Sequence, residues 1–154
     1  MIIVSSCLAG MKVRYNGTDC LEDTIGRLVK EGKAVALCPE LLGGFATPRE
    51  PAEIIGGTGE DVLLGKARVV TKSGEDVTDM YVKGAEEALR LAKEAGPTAV
   101  VLKEFSPSCG SAMIYDGSFA NRRIAGNGVT AALFEREGIR VVSEAQIAEV
   151  VDAE

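Results

Sequence analysis

The sequence predicts an α/β fold, a Rossmann-like three-layer sandwich with a mostly parallel sheet and a small hairpin excursion. Short apolar runs alternate with amphipathic stretches along the chain, which is the order expected of strands and helices around a parallel sheet. Only 5% of the residues are aromatic and there is no Trp, which disfavours an aromatic-rich β-sandwich. The length of 154 residues suits one domain, which we expect to span residues 1–154.

The start of the chain is expected to supply the first strand and the first helix. The apolar run at 2–4 predicts a strand. The helix is expected to begin at Asp19 or Cys20 and to end at Gly32, because glycine is typical of the position after a helix. The residues on its apolar face are Leu21, Ile25, Leu28 and Val29.

The next segment is expected to contain the second strand, a loop and the hairpin. The run at 34–37 predicts the strand, and Pro39 ends it because proline has no N–H to donate to a sheet. Residues 41–60 are rich in Gly and Pro and are predicted to form a long loop. A loop of this length is either functional or disordered, and its apolar residues favour an ordered, functional loop. The runs 62–64 and 67–71 are predicted to pair as the small hairpin.

The second half of the chain continues the alternation of helices and strands. Thr78 is expected to cap a helix that runs to Ala95. Four consecutive apolar residues at 99–102 predict a strand that is buried on both faces, and 113–115 predicts a shorter strand.

The last part of the chain is expected to contain a helix, a strand and a final helix. Asn127 is expected to cap a helix that Gly138 ends, and 139–142 predicts the last strand. Ser143 and Gln146 form the pattern of a capping box for the final helix. Crossover rules place the first strand inside the sheet.

The charge and the apolar runs limit the partners. The formal net charge is −6, which argues against a protein that grips a nucleic-acid backbone. No apolar run approaches the roughly 20 residues that span a bilayer. We therefore expect a cytoplasmic protein with a small-molecule partner, no nucleic-acid polymer and no membrane. The sequence leaves the oligomeric state open.

The chain has no His, and this absence restricts the chemistry. Catalysis by a Ser-His or Cys-His pair and zinc sites with His ligands are excluded. Acid–base work then falls to carboxylates, Lys, Tyr or metal-bound water.

Three of the four cysteines follow predicted strands. Cys7, Cys38 and Cys109 each come just after an apolar run, and the carboxyl ends of parallel strands meet at one edge of a sheet. Structural zinc sites usually show cysteine pairs two to four residues apart, and this chain has none. Single thiols from three loops suit a [4Fe–4S] cluster, whose fourth iron would keep an open position. The alternative is that these cysteines are small buried hydrophobes, which is what we expect of Cys20.

Several segments, spread from the first strand to the last helix, resemble one family, the thiouracil desulfidases. The segments, with their sequences, are SCLAG (6–10), VRYNG (13–17), CPELLGG (38–44), TPR (47–49), DVT (76–78), KEFSPSCG (103–110) and IYDG (114–117). The resemblance implies a [4Fe–4S] enzyme that cleaves the C–S bond of a thiolated nucleobase, as a hydrolase or lyase, without net redox change. It implies that Cys7, Cys38 and Cys109 hold the cluster, that the substrate sulfur binds the free iron as a [4Fe–5S] species, and that sulfide is later released. Cys20 matches no ligand of the family.

Glu40 and Ser108 are the candidate catalytic residues. Glu40 lies two residues after a predicted ligand and could act as the base or orient the attacking water. The alternative for Glu40 is a solvated carboxylate or a partner of a helix N-terminus. Ser106, Ser108 and Ser111 could bond the cluster sulfides or the edge of the base, and ordinary turn chemistry is their alternative.

Arg14 and Tyr15 are the candidate residues at the mouth of the site. Arg14 could pair with a ring carbonyl or a carboxylate, and Tyr15 could stack on the base. Ser106 and Ser111 are the other candidate substrate-binding residues. Their alternatives are a salt bridge for Arg14 and a core position for Tyr15. Two other functions remain open from the sequence, a non-catalytic iron–sulfur or sulfur carrier and a structural zinc domain.

Overall fold

The computed structural model describes residues 1–12, 14–17 and 23–147. The start of the predicted first helix, including Cys20, and most of the predicted final helix lie outside the described residues. The elements along the described chain are β1 (Ile2–Ser5), α1 (Asp23–Lys30), β2 (Ala34–Leu37), α2 (Pro39–Leu42), β3 (Ala52–Ile55), α3 (Gly59–Leu63), β4 (Arg68–Thr71), α4 (Thr78–Ala95), β5 (Ala99–Leu102), β6 (Met113–Tyr115), β7 (Arg123–Ala125), α5 (Val129–Arg136) and β8 (Val141–Ser143).

The main sheet has four parallel strands in the order β2-β1-β5-β8. Ile2 pairs with Ala34 on one side and with Ala99 on the other, so β1 lies inside the sheet as predicted. Every residue of β1 and β5 is buried, which is typical of parallel strands covered on both faces. The prediction of a Rossmann-like α/β sandwich is confirmed.

Helices cover both faces of this sheet. Ile2 and Val4 point to one face and pack in a core with Ile25 of α1. Ile3 points to the opposite face, where its core includes Ala88 of α4 and Phe134 of α5. Each fully buried aliphatic side chain contributes roughly 1.5–3 kcal/mol relative to an exposed one, so the alternation along β1 stabilises both layers at once.

The hairpin excursion exists, but its strands differ from the prediction. β4 pairs antiparallel with β3, and residues 62–63 belong to α3 instead. The reason is a capping box: Thr58 donates its N–H to Asp61 Oδ2 at 2.9 Å and starts a helix where a strand was predicted. The predicted loop over 41–60 is therefore wrong in part, because it contains β3 and the first turn of α3.

The caps of the two long helices also differ from the prediction. Asp76 caps α4 by accepting the N–H of Thr78 at 2.9 Å, while Thr78 is the first residue of the helix. The residue before α5 is Gly128 and not the predicted Asn127, whose side chain donates to Glu135 Oε2 at 3.3 Å. The predicted capping box of Ser143 and Gln146 is confirmed over a short 3₁₀ turn.

Helices α2 and α4 approach each other closely through two glycines. A Cβ on Gly84 would overlap Pro39 O, and a Cβ on Gly43 would overlap Met80 O. Neither position needs a positive φ, so the requirement is space between the two helices. This contact holds the segment after Cys38 against α4. No helix of the described chain combines the length and apolar character needed to cross a membrane.

Candidate active site

A cavity of about 400 Å³ opens at the carboxyl ends of β2, β1 and β5. Cys7 lies in a 3₁₀ turn after β1, Cys38 directly after β2, and Cys109 in the loop after β5. All three cysteines line the cavity, and none of the three is in a disulfide bond. Because these strands are neighbours in the sheet, three thiols that are far apart in sequence face one volume.

The thiols of Cys38 and Cys109 are in an environment that favours their neutral form. Burial raises the pKa of Cys109 well above its usual value, and the charges of Glu40, Cys38 and Cys7 raise it further. Burial also raises the pKa of Cys38. A cationic group beside Cys38 and Cys109 would favour their thiolate forms.

The donor set is of the kind that soft metals prefer. Among the described residues, no group of three or more His, Cys, Asp or Glu side chains is arranged to hold a single metal ion. The three sulfurs instead line a shared space, and thiolates are the ligands that iron–sulfur clusters use. Cys7, Cys38 and Cys109 are the residues that could hold such a group.

The carboxylate of Glu104 organises the loop that carries Cys109. Its Oε1 accepts the backbone N–H groups of Phe105, Ser111, Ala112 and Met113 at 2.8–3.3 Å. Burial raises the pKa of Glu104, but these four bonds outweigh it and lower the pKa below its usual value. Sequence reasoning assigned no role to Glu104, although a carboxylate before a loop rich in Ser and Gly is a natural acceptor for its N–H groups.

Ser106 lines the cavity, but its hydroxyl also supports the loop. Ser106 Oγ accepts the N–H groups of Ser108 and Cys109 at 3.0 and 3.1 Å. This is the turn chemistry that the sequence offered as the alternative. The bond to the Cys109 N–H fixes the backbone that carries the thiol.

The structure does not bring Ser108 and Ser111 into the cavity wall. Ser108 is buried behind the wall, where its hydroxyl lies 2.8 Å from Thr130 Oγ1 and 3.8 Å from Cys109 Sγ. Ser111 donates its hydroxyl to Glu104 Oε2 at 3.2 Å. In this arrangement both hydroxyls are placed to support the Cys109 loop.

Glu40 lines the cavity beside the thiols and is held by two donors. Its Oε2 accepts Arg49 Nε at 3.1 Å and the Tyr81 hydroxyl at 2.9 Å. The side chains of Arg49 and Glu40 are only 8% and 16% exposed, so Glu40 is not a freely solvated carboxylate. Sequence reasoning gave no role to Arg49 or Tyr81, because their contacts with Glu40 depend on how α2 packs against the rest of the fold.

Arg14 and Tyr15 line the cavity. The Arg14 guanidinium lies 5.9 Å from the centre of the Tyr15 ring, and Tyr15 is 39% exposed, which excludes a core position. The backbone carbonyl oxygen of Tyr15 accepts the backbone N–H of Arg49 at 2.6 Å. Lys103 lines the cavity too and forms an ion pair with Glu144 at 3.3 Å.

An aromatic wall was not predicted from the sequence. Phe105 and Tyr115 line the cavity with ring centres 6.3 Å apart, and the Arg123 guanidinium lies 3.8 Å from the centre of the Phe105 ring. In the described chain, the non-glycine residues with a positive φ are Phe105, Phe119 and Asn121, and all three line this cavity. Strained backbone of this kind concentrates at functional sites.

The chain is similar to known proteins over almost its whole length. Residues 2–146 match the family described as 2-thiouracil desulfurase. A protein of Bacillus subtilis (strain 168), named as the uncharacterised protein YbbK, is 59% identical over 151 residues, which cover 98% of this chain and all of that protein. A solved structure of the [4Fe-4S]-dependent thiouracil desulfidase TudS is 47% identical, with a TM-score of 0.86, and the match covers 99% of this chain and 95% of that one.

Proposed function

This chain belongs to the 2-thiouracil desulfurase family, and we propose that it removes sulfur from a thiouracil-like nucleobase without net redox change. We propose that a [4Fe–4S] cluster is the cofactor and that Cys7, Cys38 and Cys109 hold it. The observation that carries the proposal is the convergence of these three thiols, from three neighbouring strands, on one cavity.

With Cys7, Cys38 and Cys109 as its ligands, such a cluster would keep one iron without a protein ligand. When bound, the cluster supplies a soft Lewis acid at that iron, which prefers thiocarbonyl sulfur to carbonyl oxygen. The buried thiols must give up their protons when the cluster binds, since thiolates are the ligands. The absence of His means that no imidazole competes for the metal in this chain.

Glu40 is the residue that we assign as the general base. Its carboxylate is held at the cavity wall and is close enough to Cys38 and Cys109 for its charge to raise the pKa of each. In the reaction, Glu40 accepts a proton from the water that adds to the carbon bearing the sulfur. One thiouracil and one water then give one uracil and one hydrogen sulfide, and no electrons are transferred.

The walls of the cavity support a flat, uncharged substrate. Phe105 and Tyr115 offer aromatic faces for the base, and Arg14 offers a donor for a ring carbonyl. The net charge of −6 supports a small base over a nucleic-acid polymer. Ligands that must stay reduced also support a cytoplasmic location.

Turnover by anaerobically reconstituted protein tests this function. We expect thiouracil to be converted to uracil and sulfide in equal amounts, and we expect Cys109→Ala to abolish the conversion. Full turnover by an iron-loaded Cys109→Ala protein would contradict the assigned ligand set. Reconstituted protein that passes its cluster to an acceptor protein and never converts thiouracil would instead be a carrier.

A further inference from the structure

Tyr81 reaches the site from an element that carries no thiol. It lies in the first turn of α4, is 3% exposed, and its ring packs against Phe45 with ring centres 5.0 Å apart. Its hydroxyl donates to Glu40 Oε2 at 2.9 Å, across 41 residues of sequence. The close approach at Gly84, one helical turn further along, keeps α4 at this distance from α2.

Tyr81 and Arg49 act on the same oxygen of Glu40. Neither the Tyr81 hydroxyl nor Arg49 Nε bonds Oε1. Two donors on one oxygen, coming from different elements, fix the direction of the carboxylate, while a single donor would allow it to turn. The burial of Tyr81 and the charge of Glu40 raise the pKa of Tyr81 well above its usual value, so the hydroxyl keeps its proton and remains a donor.

We propose that Tyr81 is a positioning residue whose hydroxyl, together with Arg49, holds the Glu40 carboxylate so that its other oxygen can serve the reaction in the cavity. The proposal rests on the proposed function, because it needs Glu40 to act as the base. Tyr81 lines the cavity, but its single hydroxyl proton is committed to Glu40, so its effect passes through that residue.

The variant Tyr81→Phe removes the hydroxyl and keeps the ring. We expect kcat for thiouracil to fall roughly tenfold or more, since misplacement of a catalytic group costs about that much. We expect KM, the iron content and the absorbance of the reconstituted protein to stay unchanged. In a Glu40→Gln background, Tyr81→Phe should have little further effect on kcat, because the group that it positions has already been lost.

Phe45→Leu is the matched control, because it loosens the packing of the Tyr81 ring and leaves the hydroxyl in place. It should lower the thermal midpoint with little change in kcat. The positioning role is contradicted by an unchanged kcat in Tyr81→Phe or by losses that simply add in the double variant.

The same experiment separates this inference from the proposed function. If the unmodified protein converts thiouracil and Tyr81→Phe leaves kcat unchanged, only the positioning role of Tyr81 is contradicted. Absence of thiouracil turnover in the unmodified, iron-loaded protein removes the proposed function and the positioning role together.

Discussion

Gly84 of α4 packs directly against the carbonyl oxygen of Pro39, the first residue of α2. Pro39 lies between Cys38 and Glu40, so this single contact sets the position of a candidate ligand and of the candidate base at once. The packing of α4 against α2 at Gly84 therefore affects the positions of residues that line the cavity.

We predict that Gly84→Ala destabilises the fold and weakens cluster binding. The added methyl group has no space at Pro39, and overpacking of this kind costs about 1–3 kcal/mol. Urea unfolding and iron analysis of the reconstituted protein measure the two effects. Lys83→Ala, at the neighbouring exposed position, is the control and should change neither. If Gly84→Ala had the same free energy of unfolding and iron content as the unmodified protein, this contact would not fix the position of α2.

Glu40→Gln is expected to lower kcat by about 10² or more, because the amide cannot accept a proton from water. The amide is close to the carboxylate in size, so we expect iron binding to persist. Steady-state kinetics with thiouracil, normalised to the iron content, measures the effect. If the variant turned over at the rate of the unmodified protein, another group would have to be the base.

Removing the Glu104 charge should destabilise the Cys109 loop. In Glu104→Gln, the four backbone N–H groups face a neutral acceptor, and we expect a loss of about 1–2 kcal/mol in the free energy of unfolding. Urea unfolding at neutral pH measures this loss. Glu135→Gln, at an exposed position on α5, is the control. If the free energy of unfolding changed no more in Glu104→Gln than in the control, the stabilising role of Glu104 in the loop would be contradicted.

The lowered pKa of Glu104 also predicts a pH dependence of stability. A carboxylate whose pKa is lower in the folded than in the unfolded state stabilises the fold fully above its unfolded pKa, near the usual 4.5. That contribution is lost as the pH falls through the lower, folded pKa. The unfolding midpoint should therefore fall on acidification below about pH 4.5, and Glu104→Gln should flatten the fall. Parallel curves for the two proteins would contradict this assignment.

The main sheet and the meeting of three thiols could be predicted because both depend on short-range pattern. Four apolar residues followed by a turn identify a buried parallel strand, and strand ends at one edge bring Cys7, Cys38 and Cys109 together. The partner of β4 was missed, because the capping box at Thr58 and Asp61 competes with the strand pattern at 62–64.

The contacts of the residues that support the site could not be predicted from local sequence patterns. The bond between Tyr81 and Glu40 depends on the packing of α2 against α4, which no local pattern encodes. Glu104 acts through the backbone of its own loop, and its role follows only from the path of that loop. Arg49 lies in one of the segments that resemble the family, but its hydrogen bond to Glu40 could be identified only from the fold.

The most direct test is the iron and acid-labile sulfide content of protein purified without oxygen, compared with single Cys→Ala variants. We predict about four irons and four sulfides per chain in the unmodified protein. We predict their loss in Cys7→Ala, Cys38→Ala and Cys109→Ala and their retention in Cys20→Ala. Zinc without iron in the unmodified protein, or full iron content in all three ligand variants, would contradict it.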